Sequence, residues 1–132
     1  MESLQVRTGQ ISLQILDDEG NERGIFKFNP EDINCAKAII NLQAELNDKE
    51  AEFTERATKA ETDEEKVMVL DELTNYFNNA IDECFGSGSS KVLFGNAKTL
   101  SMYQDFFEGI IPYYEKASKK RLAKYNKKKS GK

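Results

Sequence analysis

The chain contains no histidine and no tryptophan among its 132 residues. Without histidine there is no Ser-His or Cys-His nucleophile pair, no imidazole general base and no imidazole metal ligand. The 23 acidic residues leave carboxylate chemistry open, but none lies beside a glycine-rich phosphate loop or another catalytic motif. We therefore expect no enzymatic activity, no catalytic residues and no cofactor.

Cysteine and long apolar runs are also scarce. Cys35 and Cys84 stand apart without paired spacing, which predicts neither a zinc site nor a disulfide framework. Each thiol is expected to act as a small apolar side chain. No stretch approaches the roughly 18 consecutive apolar residues of a membrane helix, and the first ten residues lack the basic start and apolar run of a signal peptide. We expect a cytoplasmic protein with no membrane partner.

Charge is distributed unevenly along the chain. The net charge is −4, but residues 116–132 hold nine of the 19 basic residues and no acidic one. Residues 1–115 therefore carry ten basic and 23 acidic side chains, a net charge of −13. We expect a single globular domain over residues 1–115 and a basic tail, helical or disordered, over 116–132. The tail cations are Lys116, Lys119, Lys120, Arg121, Lys124, Lys127, Lys128, Lys129 and Lys132.

The N-terminal part has the pattern of a β-hairpin over residues 10–28. Apolar and polar residues alternate over 11–15, residues 17–21 have turn chemistry, and residues 25–28 form a return strand. An isolated hairpin is marginal in water, so its apolar face should lie on the helices or pair with another chain.

Helical spacing of apolar residues predicts three helices, at about 30–60, 62–85 and 99–115. Asn29 is a suitable cap for the first helix, Thr62 opens a capping box for the second, and Gly86 suits its end. The first two helices are expected to form an antiparallel hairpin, and Pro112 predicts a kink in the last. The expected fold is α+β and predominantly helical, with an N-terminal β-hairpin, a long helical hairpin and a kinked C-terminal helix.

The connection between the second and last predicted helices is rich in glycine and serine. Residues 86–90 predict a flexible linker, since the run lacks the lysine and strand context of a P-loop. Residues 91–96 are apolar and fit either a helical turn or an edge strand.

A cluster of aromatic and branched residues marks the last predicted helix. Aromatic side chains stack on nucleic-acid bases, but at helical spacing beside isoleucines they more often form a core or a protein interface. The candidate partner-binding residues are Tyr103, Phe106, Phe107, Ile110, Ile111, Tyr113 and Tyr114.

The basic tail has three interpretations. It could neutralise phosphates, end a helix with favourable cations, or contact the acidic body of a neighbouring subunit. The acidic body repels nucleic acid and no groove-reading motif precedes the tail, so we favour the protein-facing interpretations and expect self-association. Because few apolar residues follow Tyr114, residues 119–132 are expected to be dispensable for folding.

Two stretches carry a family resemblance. Residues 80–86 read AIDECFG and lead through the Gly-Ser run to VLFGN at 92–96, and residues 106–116 read FFEGIIPYYEK before the basic tail. In these stretches and in element order over most of its length, the chain resembles the tail assembly chaperones of long-tailed bacteriophages and prophages of Gram-positive bacteria.

This resemblance implies an assembly factor that binds the tape measure protein and keeps it soluble while tail tube subunits polymerise around it. The tail tube protein is a second candidate partner. The protein would act in the host cytoplasm and be absent from the mature virion. The alternatives are a virion structural or adaptor protein, and a small nucleic-acid-binding regulator that uses the basic tail.

Overall fold

The computed structural model describes the backbone of residues 1–130 and the side chains of residues 1–123. The described chain forms a two-stranded antiparallel hairpin followed by four helices. The strands are β1 (Ile11–Leu16) and β2 (Glu22–Phe28), and the helices are α1 (Ile33–Lys59), α2 (Asp63–Phe85), α3 (Ser89–Phe94) and α4 (Leu100–Ser130). The predicted fold class, α+β and predominantly helical, is confirmed.

The hairpin turn is closed by the side chain of Asp17. Its Oδ1 atom accepts hydrogen bonds from the backbone N–H groups of Glu19 and Asn21, at 2.9 and 2.8 Å. Gly20 has a φ of 85°, a left-handed conformation that glycine adopts without steric cost. The local chemistry of the turn therefore sets where the chain reverses.

One face of the hairpin belongs to the core. Leu13 pairs with Phe26 and Ile11 with Phe28, which places these four side chains on the same face. Both phenylalanines are buried, whereas the β1 side chains are only half-buried. The sheet contains β1 and β2 alone, so the outer edge of β1 has no strand partner in the described part of the chain.

Helix α1 begins three residues later than the sequence suggested. Asp32, rather than Asn29, is the N-cap, and its Oδ1 atom accepts from the N–H of Asn34 at 2.9 Å. The Asn29 side chain instead accepts a hydrogen bond from the N–H of Glu31 and donates one to the Thr8 carbonyl oxygen. Residues 30–32 therefore form a turn before the helix.

Helices α1 and α2 form the predicted antiparallel hairpin. Thr62 Oγ1 accepts from the N–H of Glu65 at 3.1 Å, and the Glu65 carboxylate accepts from the N–H of Glu61 at 3.0 Å. Farther along the two helices, Arg56 and Glu72 form an ion pair at 3.0 Å. The second half of α1 thus packs along α2, with its Phe53 side chain buried and the Arg56 guanidinium over the Phe53 ring.

Residues 86–88 form a turn and Ser89 and Ser90 begin α3, in place of the flexible linker expected over residues 86–90. Gly86 and Gly88 have φ angles of 114° and 87°, conformations that glycine adopts without steric cost. The N–H of Ser90 donates to Asp82 Oδ1 at 2.8 Å and the serine is buried. The sequence left residues 91–96 open between a helical turn and an edge strand. The structure has the helical turn there, as part of α3.

The core lies where the hairpin face, α1, α2 and α4 meet. Leu73 and Ile81 on α2 are fully buried at its centre. Phe26 of the hairpin packs edge-on against Phe85 and Phe106, with ring centroids 5.1 and 5.8 Å apart. These aromatic contacts fix α4 against the hairpin and α2.

Candidate partner-binding surface

Four of the seven candidate partner-binding residues lie in the core. Tyr103, Phe106, Ile110 and Tyr114 follow one another at intervals of three or four, so they share one face of α4, and all four are buried. The ring of Tyr103 packs at 4.7 Å from that of Phe77. These four side chains therefore stabilise the fold and expose little of their own surface, although Tyr103, Phe106 and Ile110 contribute to the lining of the two grooves described below.

The two buried tyrosines also satisfy polar groups. The Tyr103 hydroxyl lies 3.1 Å from the Thr74 carbonyl oxygen and 2.8 Å from Asn78 Oδ1. The Tyr114 hydroxyl lies 3.0 Å from the Cys35 sulfur. Burial raises the pKa of both phenols well above the ordinary value. Both groups are thus neutral and structural at physiological pH.

Cys84 packs beside this polar contact, half-buried on α2. Burial, with a smaller contribution from the nearby Cys35 thiol, raises the pKa of Cys84 to about 11. Because the thiolate is the reactive form of cysteine, this environment suppresses nucleophilic and redox chemistry at Cys84. Both cysteines are free thiols packed against the core, as the sequence indicated.

The other three candidates reach the surface. Phe107 and Ile111 are half-buried and lie one turn apart on α4, and Tyr113 is 36% exposed. Phe107 and Ile111 line a groove with Leu46 of α1, and the groove has a volume of ≈ 560 Å³. We call it the α1–α4 groove. Its lining also includes polar and acidic side chains: Gln43, Asn47, Glu50, Gln104 and Glu108.

A second groove runs between β1 and α4. Leu13 and Ile15 form its strand side, Met102 and Tyr113 form its helix side, and its volume is ≈ 550 Å³. We call it the β1–α4 groove. It lies along the hairpin face whose β1 side chains are only half-buried, so this apolar surface is partly open to solvent.

Two cations of the basic tail, Lys120 and Arg121, contact the body of the same chain. Lys120 pairs with Glu31 at 3.4 Å. Arg121 Nη1 donates to the carbonyl oxygens of Pro30 and Glu31, at 3.2 and 3.1 Å. Lys116 and Lys119 are exposed on α4. The side chains of the remaining predicted tail cations, Lys124, Lys127, Lys128, Lys129 and Lys132, lie outside the described residues.

Sequence reasoning missed the contribution of α1 to the surface. Leu46 and Glu50 line the α1–α4 groove, but they lie more than 50 residues before Phe107 in the sequence. The one available signal was the apolar stripe of the first helix, which includes Leu46. Sequence reasoning also overlooked Leu4 and Val6, which alternate with polar residues before β1 and are 88% and 73% exposed.

The described residues contain neither a candidate metal-binding cluster nor a helix that could span a membrane. Among them, no group of three or more cysteine, aspartate or glutamate side chains is placed to hold a metal ion. No helix in that part of the chain is long and apolar enough to cross a membrane.

Residues 19–132 match a family of unknown function (DUF6673), and the chain belongs to that family. The match covers β2 and all the helices described above. No curated protein and no solved structure matches the chain. The family carries no functional description.

Proposed function

We propose that this protein is a phage tail assembly chaperone that binds the tape measure protein and keeps it soluble while the tail tube assembles. The proposal rests on the sequence resemblance, and the structural observation that supports it best is the α1–α4 groove. This groove combines half-buried apolar side chains with acidic residues at its rim.

The shape of the groove suits a helical partner. Phe107 and Ile111 lie one turn apart along α4, with Leu46 opposite them on α1. A strip of this kind accepts an amphipathic helix whose apolar residues recur at intervals of three and four. A tape measure protein is expected to be long and helical, with apolar stripes exposed until the tail tube encloses them. Covering such a stripe removes its tendency to aggregate.

The charge of the protein supports solubility of the complex. Residues 1–115 carry a net charge of −13, which opposes association between complexes. Glu50 and Glu108 at the groove favour a partner helix with lysine or arginine beside its apolar stripe. In this proposal the protein works without catalysis or a cofactor, in the host cytoplasm. The tail tube protein is a second candidate partner.

Co-expression with a tape measure protein from the same genome tests the proposal. We expect the tape measure protein to move from the pellet to the supernatant when this protein is present. The double substitution Phe107→Ser and Ile111→Ser should abolish that effect, because it removes the apolar side of the groove while leaving the four core residues of α4 in place.

A matched control is available on α2. Val67 and Met68 are 64% and 60% exposed and do not line the groove, so Val67→Ser with Met68→Ser should leave the rescue intact. Circular dichroism melting curves must show that both double variants fold. Equal insolubility of the tape measure protein with and without the wild-type chain would contradict the chaperone proposal. The virion adaptor would then be the better interpretation, and mass spectrometry of purified virions would detect it.

A further inference from the structure

We propose that the N-terminal arm, residues 3–8, adds as an antiparallel strand to the outer edge of β1 in a second copy of this chain. This inference names the surface through which the protein self-associates and does not depend on the tape measure proposal. Residues 3–8 read SLQVRT and precede β1 directly.

The arm has the pattern of a strand but lacks the contacts of one. Leu4 and Val6 alternate with polar residues, the period of a strand with one apolar face. They are 88% and 73% exposed, although apolar side chains gain free energy when they leave water. The arm therefore has an apolar face that a neighbouring surface can cover.

The outer edge of β1 offers such a surface. It has no strand partner among the described residues, and unpaired backbone groups at a sheet edge are a template for another strand. Leu13 and Ile15 of β1 line the β1–α4 groove, next to that edge. A strand added there would place its apolar side chains in the groove.

One antiparallel register matches the two patterns. It sets Leu4 opposite Ile15, Val6 opposite Leu13 and Thr8 opposite Ile11, so the apolar side chains share one face of the enlarged sheet. A slip by one residue would turn Leu4 and Val6 toward the opposite face. The matching register continues the existing pairs of Leu13 with Phe26 and of Ile11 with Phe28.

The junction between arm and strand holds the arm away from its own β1 edge. Asn29 Nδ2 donates to the Thr8 carbonyl oxygen at 2.9 Å, and Gly9 lies so close to the Glu31 side chain that no space remains for a Cβ atom. Residues 5–10 line a hollow with Glu31 and Lys120 and do not line the β1–α4 groove. The arm is therefore positioned to reach another molecule.

The register also satisfies the symmetry of a closed dimer. It is symmetric about Gly9 and Gln10, so two copies exchange arms through the same set of pairs, as an isologous interface requires. Gly9, at φ 98°, interrupts the strand, so the alternation of side chains need not continue from the arm into β1.

The arm carries Arg7 and no acid, which complements the acidic body that receives it.

Disulfide trapping between two single variants tests the proposal directly. A chain with Val6→Cys is mixed with a chain carrying Leu13→Cys, and the mixture is oxidised. We expect a disulfide between the two chains, mapped by mass spectrometry. The matched control replaces Leu13→Cys by Ser12→Cys, whose side chain lies on the other face of β1, and should give little cross-linking.

Pairing within one chain is distinguished by the double variant Val6→Cys with Leu13→Cys. An intrachain disulfide there, with no cross-link between the mixed single variants, would overturn the proposal in favour of an arm that folds back on its own strand.

Sedimentation equilibrium provides the second measurement. The wild type should dimerise, Leu4→Ser with Val6→Ser should be monomeric, and Gln5→Ser should still dimerise. A wild-type monomer at every soluble concentration would also refute the exchange.

Discussion

Two tyrosines of α4 place phenol groups in an otherwise apolar core. Tyr103 bonds to the Thr74 carbonyl and to Asn78 on α2, and Tyr114 contacts Cys35 on α1. Each hydroxyl therefore joins α4 to one helix of the α1–α2 hairpin. A buried hydrogen bond of this kind contributes about 1 kcal/mol to the free energy of unfolding, and burial makes its ionisation unfavourable.

These tyrosines predict a loss of stability at alkaline pH. Their pKa values are raised by burial in the folded chain, whereas an unfolded tyrosine has a pKa of about 10. The neutral phenols therefore contribute their full stability below about pH 10, and that contribution is lost progressively at higher pH because only the unfolded chain releases the protons. Tyr76, whose pKa is raised to about 12 chiefly by its hydrogen bond to Glu45, adds to the same loss.

Urea denaturation between pH 8 and pH 11 measures this effect. The double variant Tyr103→Phe and Tyr114→Phe should be less stable than the wild type at pH 8, by about 1 kcal/mol per hydroxyl. Its free energy of unfolding should fall less steeply above about pH 10 than that of the wild type. Tyr113→Phe, at the surface, is the control. If the free energy of unfolding falls equally steeply with pH in the wild type and the double variant, the buried phenols do not cause the loss of stability at alkaline pH.

At the scale of elements, α4 is anchored beyond the last buried aromatic residue. Ala117 is buried, and one turn later Arg121 donates to two carbonyl oxygens in the turn before α1. These carbonyl groups precede the N-cap Asp32. Arg121 thereby ties the C-terminal part of α4 to the start of α1. The expectation that residues 119–132 are dispensable for folding is therefore revised, because that segment includes Arg121.

Two truncations separate the anchored part of the tail from the rest. Deletion of residues 119–132 should lower the free energy of unfolding by about 1.5–3 kcal/mol, the range for hydrogen bonds that involve a charged group. Deletion of residues 124–132, which keeps Arg121, should change it little. Arg121→Gln should reproduce most of the larger effect, whereas Lys119→Gln, at an exposed position, should not. Indistinguishable stability of the two truncations would mean that the Arg121 contacts contribute nothing.

For the whole molecule, the charge asymmetry decides how the protein meets other macromolecules. A body of net charge −13 repels nucleic acid, while the tail attracts it. The structure directs Lys120 and Arg121 to the body of the same chain. This arrangement favours the protein-facing interpretations of the tail over a regulator that binds nucleic acid.

Fluorescence anisotropy with duplex DNA tests that preference. In about 0.15 M salt we expect binding no tighter than the non-specific range of roughly 10⁻⁴–10⁻⁶ M. Any association at low salt should weaken steeply as salt rises, because it depends on counterion release. The truncation that lacks residues 124–132 should lose most of this residual binding. Sub-micromolar, sequence-dependent binding would support the regulator.

Much of the fold followed from local chemistry that the sequence displays. Thr62 with Glu65, and the glycine at 86, mark the ends of α2 through contacts within a few residues, so sequence spacing locates them well. The start of α1 was placed less well. Asn29 and Asp32 are both suitable caps, and the choice depends on the hydrogen bond from Asn29 to Thr8, 21 residues earlier. The kink predicted at Pro112, which lies inside α4, stays a prediction.

The sequence by itself determined the β-hairpin, the three long helices, the acidic body and basic tail, and the apolar character of α4. Only the tertiary structure decided which side of α4 meets the core. The spacing of Tyr103, Phe106 and Ile110 groups them on one face, and that of Phe107 and Ile111 groups them on a neighbouring face, but both faces are apolar. The hairpin and α2 cover the first face, while Leu46 of α1 and the second face form a groove. Such a choice depends on contacts between elements far apart in the chain, which periodicity within one helix does not encode.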